Sequence, residues 1–384
     1  MKAAVFYGAR DFRIETIEDP KIEPEDILIK VKAAGICGSD LHAYKEGIFS
    51  RPGFVMGHEV SGQVVEAGKK VKGIKAGDRV IPMMYGLYDM SGACGKCFWC
   101  TRGQPQWCPS AGHKPCGECT RCKAGEWWLC EKNQRHMLMG YSRNGGYADY
   151  AYVPYAKLGY NVFKLPDNLS YSEGSFLDPV TGAYKWVNQA EPKPFETAVV
   201  TGLGTIGLSC MQVLKNMVSR VIVSDVSEKR LKLAQELGAD VVINASREDP
   251  LKKVIELTGT GRSFAGKGGG CADILMECSG VPAVLQQGVE MMRTGGRIVL
   301  VALYEQLVPL DVNHIIHKQL SLISSFNPPK GRAADDIQAA LKLMAGGKVK
   351  VKPMISHELP LEQTQEGFEV QTRADESIKV IITP

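Results

Sequence analysis

The sequence predicts an α/β protein in which a β-rich N-terminal part is followed by a doubly wound parallel sheet with helices on both faces. Three observations carry that expectation. Up to about residue 160, short runs of alternating apolar residues are broken by Gly and Pro too often for long helices. From Ser170 onward, apolar runs of strand length alternate with segments of helical period. The 384 residues, 44% of them hydrophobic, are enough for two or three separate cores.

In the first part, strands are expected at 27–32, 62–67 and 78–82, where alternation gives each strand one face to bury. A connecting helix over 177–190 leads to a short apolar strand at 197–201 that ends in glycines. Strands at 221–224, 241–243, 274–277 and 297–301 then interleave with helices at 206–218, 228–237 and 282–292. Parallel strands require crossovers of this kind, so the order itself points to a doubly wound sheet. The alternation breaks near Phe326-Asn327-Pro328-Pro329. Beyond it come a helix over 333–344 and a strand-like run at 378–382, a tail able to rejoin the first domain. The expected domains are therefore 1–165 with 327–384, and 166–326.

Charge excludes some functions. Forty-six Lys and Arg against 42 Asp and Glu leave a net +4 with no basic cluster, which argues against nucleic-acid binding. Arg10, Asp11 and Arg13 follow closely on the N-terminus, so no secretory leader is expected. No run approaches the ~18 apolar residues of a membrane span. A cytoplasmic protein is expected, and in a reducing compartment the 12 cysteines, eight of them between Cys94 and Cys130, point to metal rather than disulfides.

Gly202-Leu203-Gly204-Thr205-Ile206-Gly207 is a G-x-G-x-x-G string placed between an expected strand and an expected helix. Such a string makes a tight turn, brings backbone close to a pyrophosphate and sets the anion at the positive end of a helix. Asp225 ends the next strand 23 residues past Gly202, where a carboxylate accepts ribose hydroxyls and repels a 2′-phosphate. NAD is thus expected over NADP. Arg230 is placed either against the adenine or on a solvated helix face. The alternative for the glycines is a turn that serves backbone geometry alone.

Gly35-Ile36-Cys37-Gly38-Ser39-Asp40-Leu41-His42 and Gly57-His58-Glu59 set a thiol, an imidazole and several hydroxyl or carboxyl groups on glycine-flanked turns. A catalytic zinc takes three such ligands and keeps one position open; Cys37 and His58 supply two. These segments, the cysteine-rich stretch and the later G-x-G-x-x-G, in this order over nearly the whole chain, resemble the zinc-dependent medium-chain alcohol dehydrogenases, especially the sorbitol, butanediol and threonine dehydrogenase branch.

That resemblance implies a GroES-like β-rich catalytic domain, a Rossmann domain, a cleft between them, and hydride transfer between a secondary alcohol and NAD. It implies a third ligand from the segment before the cofactor domain, here Asp178 in Phe176-Leu177-Asp178-Pro179, an aspartate where the family often has Glu-Pro. The shorter side chain leaves Glu59 open as a ligand or as a carboxylate behind the ligands. The resemblance also implies that Ser39 takes the substrate proton, that His42 passes it to solvent through the nicotinamide ribose, and that backbone around Val301 and Leu303 holds the nicotinamide amide. The alternative reading makes Ser39 a turn residue and His42 a surface histidine. Homodimers or homotetramers are common in the family.

The family usually carries one structural zinc lobe spaced C-x2-C-x2-C-x7-C. This chain carries the spacing twice, at Cys94, Cys97, Cys100 and Cys108 and again at Cys116, Cys119, Cys122 and Cys130, a constant offset of 22 residues within a lobe spanning 90–132. Four thiolates at that spacing close around zinc and hold together turns with little core of their own, so two structural zincs are expected. Iron–sulfur ligation, for which Pro109 after Cys108 is suggestive, and unmetallated or disulfide-bonded cysteines are the alternatives. Cys210, Cys271 and Cys278 are expected to pack in the second domain, and 267–270 to form a surface loop.

Two other functions fit parts of the sequence: a nucleotide- and metal-binding redox sensor on a dehydrogenase scaffold, and a zinc-free reductase of the same superfamily. Cys37, Ser39, His42 and His58 together argue against both.

Overall fold

The computed structural model describes residues 1–47, 52–83, 96–97, 101, 118–123, 139–141, 143–264, 266, 268–325 and 333–384, with backbone only at 121, 122 and 333. The chain forms two compact units, Met1–Asp178 with Ala333–Gln338 and Ile355–Pro384, and Pro179–Arg332 with Ala339–Met354.

The first unit is built on a sheet with strand order Ile355–Pro360, Lys379–Thr383, Ile27–Gly35, Glu59–Ala67, Arg79–Pro82 and Val162–Lys164, with Tyr150–Val153 also paired to Ile27–Gly35. The last strand of the chain thus sits beside one of the first, Ile382 opposite Ala34, which is how the C-terminal tail rejoins the N-terminal part. A hairpin of Lys2–Gly8 and Asp11–Thr16 packs against the same core. Phe12, Tyr44, Tyr147 and Phe368 form an aromatic cluster, with Phe368 4.7 Å from Phe12 and 5.0 Å from Tyr44 between ring centroids. Such pairs add attraction beyond the area they bury.

One local expectation is corrected. Residues 38–46 are a helix, Gly38–Glu46, and not a turn. Cys37 is its N-cap, the Asp40 carboxylate accepts the Cys37 N–H at 3.1 Å, and Gly47 closes it at φ +70°. The helix escapes a periodicity reading because it is nine residues long and buries only Asp40, Ala43 and Tyr44. The expected surface loop at 267–270 is corrected too: Gly261–Arg262 and Gly268–Gly269 pair as a small hairpin, and Gly270 donates to the Glu290 carbonyl at 2.9 Å. Helices Pro250–Thr258 and Thr364–Thr372 were not foreseen; Asp249 caps the first by accepting the Leu251 N–H at 2.9 Å.

The second unit is a six-stranded parallel sheet with order Val241–Asn244, Arg220–Asp225, Thr197–Thr201, Ala272–Glu277, Met292–Leu300, Ser321–Ser324. This is the doubly wound arrangement, with chain order reversing between Thr197–Thr201 and Ala272–Glu277, the place where such sheets bind nucleotides. Val199, Val200, Ile222, Leu275 and Ile298 are fully buried, as strands covered on both faces must be.

The glycine-rich turn joins Thr197–Thr201 to helix Thr205–Leu214. A Cβ at Gly207 would lie 1.8 Å from the Gly202 carbonyl oxygen, so strand end and helix approach closely only because that residue has no side chain. A Cβ at Gly204 would meet nothing within 4 Å and would project into open space. Gly207→Ala is accordingly expected to destabilise the second unit by about 3 kcal/mol or more, and Gly204→Ala to leave its stability nearly unchanged. Chemical denaturation of the two variants checks the contrast.

Candidate active site

In the first unit the Cys37 thiol, the His58 imidazole and the Glu59 carboxylate bring ligand atoms within 4.8 Å of one another. Two features of the backbone deliver them. Cys37 follows strand Ile27–Gly35 and starts the helix, at the end where partial positive charge favours an anionic group. His58 and Glu59 lie at the start of strand Glu59–Ala67, where Gly35 and Glu59 are register partners.

His58 and Glu59 are both buried, at 2% exposure, so each group needs a partner in the interior. His58 Nδ1 faces Asp40 Oδ1 at 3.4 Å, which leaves Nε2 as the nitrogen that could meet a metal. Asp40 is itself fully buried, and its other oxygen accepts from the Cys37 N–H and, at 2.8 Å, from the Tyr147 hydroxyl. Glu59 forms a buried ion pair with Lys379, whose Nζ also donates to the Ile36 carbonyl at 2.9 Å. The pair fits because Gly35 is bare: a Cβ there would lie 2.4 Å from Glu59 Oε2 and 2.7 Å from Lys379 Cε.

Asp178 is placed near the cluster but outside the 4.8 Å group, where Glu59 stands in its stead. Its Oδ1 is buried without a hydrogen bond. Burial pushes its carboxyl up to about 7; Glu59 and Asp40 act in the same sense, opposed by His58 and Lys379. A buried carboxyl so poorly matched as an anion is suited to a cation nearby.

Ser39 and His42 lie on the helix that Cys37 caps. Ser39 Oγ accepts a 2.6 Å hydrogen bond from the Tyr141 hydroxyl, and the Tyr141 ring lies 5.1 Å from His58 at 31°. Burial raises the Tyr141 phenol above its usual range, against His58 and with Cys37 and Asp40, so it stays protonated and donates. His42 Nδ1 is 3.6 Å from Glu46 Oε1 one helical turn on.

In the second unit the Asp225 carboxylate is anchored beside the glycine turn, accepting the Leu203 N–H at 2.6 Å and the Ser227 N–H at 2.8 Å. Arg230 is not a solvated helix residue; its guanidinium is 4.0 Å from Asp225 and 15% exposed. Thr205 and Ile206 open the helix half-buried, behind Gly204. The Val301 N–H is taken by the Glu277 carbonyl at 3.0 Å, while Leu303 is 49% exposed. Glu277, fully buried, accepts from Ser279 N–H at 2.8 Å and from the Tyr304 hydroxyl, and so shapes the loop after its strand.

Of the eight clustered cysteines, Cys94, Cys100, Cys108, Cys116 and Cys130 lie outside the described residues, as does the Cys122 side chain. Cys97 is a half-buried free thiol, and Cys119 is buried. Cys210 and Cys278 are also free and lie against one another in the second unit.

Residues 23–117 match the family model of the alcohol dehydrogenase GroES-like domain, and residues 205–346 that of zinc-binding dehydrogenases. Sorbitol dehydrogenase of Bacillus subtilis (strain 168) is 30% identical over 393 residues, covering 100% of this chain and 97% of the relative. L-threonine 3-dehydrogenase of Pyrococcus furiosus is 32% identical over 389 residues, covering 99% of this chain and 97% of the relative.

The chain belongs to the zinc-dependent medium-chain alcohol dehydrogenases.

The crystal structure of 2R,3R-butanediol dehydrogenase from Bacillus subtilis superposes with a TM-score of 0.76 at 29% identity, covering 100% of this chain and 99% of that one. The dehydrogenase is accordingly a zinc-binding oxidoreductase that uses a nicotinamide nucleotide, with the GroES-like and Rossmann folds expected of it. Its donor set fits zinc: one sulfur, one imidazole nitrogen and the Glu59 carboxylate lie close enough together to share one ion, and the buried Asp178 carboxyl stands nearby.

Asp40, Tyr141, Tyr147 and Lys379 were not singled out from sequence. Asp40 stands inside the Gly-Ser-Asp-Leu-His string and could have been suspected as a partner for a ligand histidine. Lys379 interrupts the apolar run 378–382, a charge on a strand that is otherwise buried. The two tyrosines gave no signal. Lys379→Met is expected to cost about 3–5 kcal/mol in chelator-treated protein, because it strands the Glu59 carboxylate. Restoring zinc should recover part of that loss, as read by urea denaturation; equal losses with and without zinc would separate Glu59 from the metal.

Proposed function

We propose that this dehydrogenase oxidises a secondary alcohol that carries a second polar group beside the carbinol, as polyols, vicinal diols and 3-hydroxy amino acids do, with NAD as the acceptor. The observation that supports it most is the convergence of Cys37, His58 and Glu59 within 4.8 Å, with the Ser39 hydroxyl on the same helix. The relatives named for sorbitol, threonine and butanediol share that substrate pattern.

Cys37 and His58 would hold the catalytic zinc, with Asp178 or Glu59 as third ligand. When bound, zinc polarises the alcohol oxygen and the nicotinamide accepts the hydride. Ser39 takes the alcohol proton on Oγ as its own proton leaves, and His42 carries that proton towards solvent. Asp40 keeps His58 in the tautomer whose Nε2 is free. Gly202, Gly204 and Gly207 admit the pyrophosphate to backbone N–H groups at the start of helix Thr205–Leu214. Asp225 favours the free ribose hydroxyls of NAD, with Arg230 held beside it, and backbone at Val301 and Leu303 faces the carboxamide. Lys379 balances Glu59 so that the pocket keeps an open position for substrate.

The duplicated cysteine spacing supports two structural zincs besides the catalytic one. A soluble, cytoplasmic homodimer or homotetramer is the setting proposed, in keeping with the absence of any membrane-crossing helix among the described residues. A redox sensor would bind nucleotide without turnover, and a zinc-free reductase would work after chelation, so turnover and metal content separate these readings.

Elemental analysis is expected to give about three zincs per chain. In a panel of diols, polyols and hydroxy amino acids followed by reduced-nicotinamide absorbance, NAD should outperform NADP, and Asp225→Ser should narrow that gap by about tenfold or more. Ser39→Ala should lower kcat by about 100-fold. Equal rates with both nucleotides would remove the role given to Asp225.

A further inference from the structure

We propose that Tyr141 is a positioning residue for proton transfer, holding the Ser39 hydroxyl in the orientation that serves the reacting oxygen. The inference rests on the role proposed above for Ser39. Three features of the geometry carry it. The Tyr141 hydroxyl donates to Ser39 Oγ at 2.6 Å. Its ring lies against the ligand histidine, 5.1 Å from the His58 centroid, so the phenol cannot swing freely. The backbone that carries it is fixed as well: Gly140 donates to the Arg143 carbonyl at 2.8 Å, and a Cβ on Gly140 would lie 2.8 Å from the Gly57 carbonyl, next to His58.

A serine side chain has three staggered rotamers and a hydroxyl hydrogen that turns to suit its partners. On a half-buried helix position that freedom would let Ser39 face away from a substrate oxygen much of the time. Accepting the Tyr141 hydrogen fixes Oγ and occupies one of its lone pairs, so the remaining lone pair and the serine's own hydrogen are directed elsewhere. A hydroxyl that accepts a hydrogen bond is also a stronger donor. In alcohol oxidation the substrate O–H proton passes to Ser39 Oγ while the original serine proton leaves, and Ser39 ends as it began. In carbonyl reduction the two transfers run backwards. Tyr141 keeps its own proton in both directions and touches the reaction only through Ser39.

The test compares zinc-loaded wild type with Tyr141→Phe, Ser39→Ala and the double variant on one alcohol and its ketone. It measures kcat, KM, the solvent deuterium isotope effect and zinc content. Tyr141→Phe keeps the ring and removes only the hydroxyl. It should retain full zinc, lower kcat about tenfold with KM within about twofold, and raise the isotope effect. The double variant should be no slower than Ser39→Ala alone, because Tyr141 acts through Ser39. An unchanged kcat, a change confined to KM, loss of zinc, or a double variant slowed by the product of the two single effects would each overturn the inference. Full activity in Ser39→Ala would instead remove the serine relay itself, whatever Tyr141→Phe does.

Discussion

The carboxylate of Asp40 is the group on which the catalytic unit turns. It has no contact with water, yet it holds three elements at once: the first turn of the helix through the Cys37 N–H, the segment before strand Tyr150–Val153 through the Tyr147 hydroxyl, and the start of strand Glu59–Ala67 through His58. A buried anion is tolerated only where such donors converge on it. The same convergence fixes where the thiol and the imidazole stand relative to one another. Fold stability and ligand geometry are therefore one problem in this unit.

Around that anchor the charges are arranged in opposition. Glu59 and Lys379 form a buried pair, Asp178 lies near without a hydrogen bond to one oxygen, and the Cys37 thiol faces them. Without a cation the carboxyls outnumber the single ammonium, and burial accordingly drives Asp178 towards its neutral form. Metal binding and the ionisation of these groups are linked equilibria, as in any site whose ligands must lose protons to coordinate.

The nucleotide-binding unit solves a different problem with backbone rather than side chains. Its glycine turn leaves open space at Gly204 and allows contact at Gly207, and the Asp225 carboxylate braces the turn by accepting two backbone N–H groups. Glu277 does the same at the end of strand Ala272–Glu277, gathering Ser279 and Tyr304. Two acidic side chains, at the ends of the two strands that flank Thr197–Thr201, thus stiffen the loops on either side of the point where strand order reverses.

The sequence by itself determined the parallel sheet and the glycine turn and singled out Asp225, Cys37 and His58, because each depends on local period or on short spacings that a string of letters preserves. The helix after Cys37 was too short to show a period, and Arg230 could not be told from a solvated residue without knowing what lay beside it. Only the tertiary structure decided that Lys379 meets Glu59, that Tyr141 reaches Ser39 across 102 positions, and that Glu59 rather than Asp178 completes the tightest group. Those pairings arise from strand order and register. They bring together side chains whose neighbours in sequence carry no trace of the partner, and burial then makes each pairing obligatory.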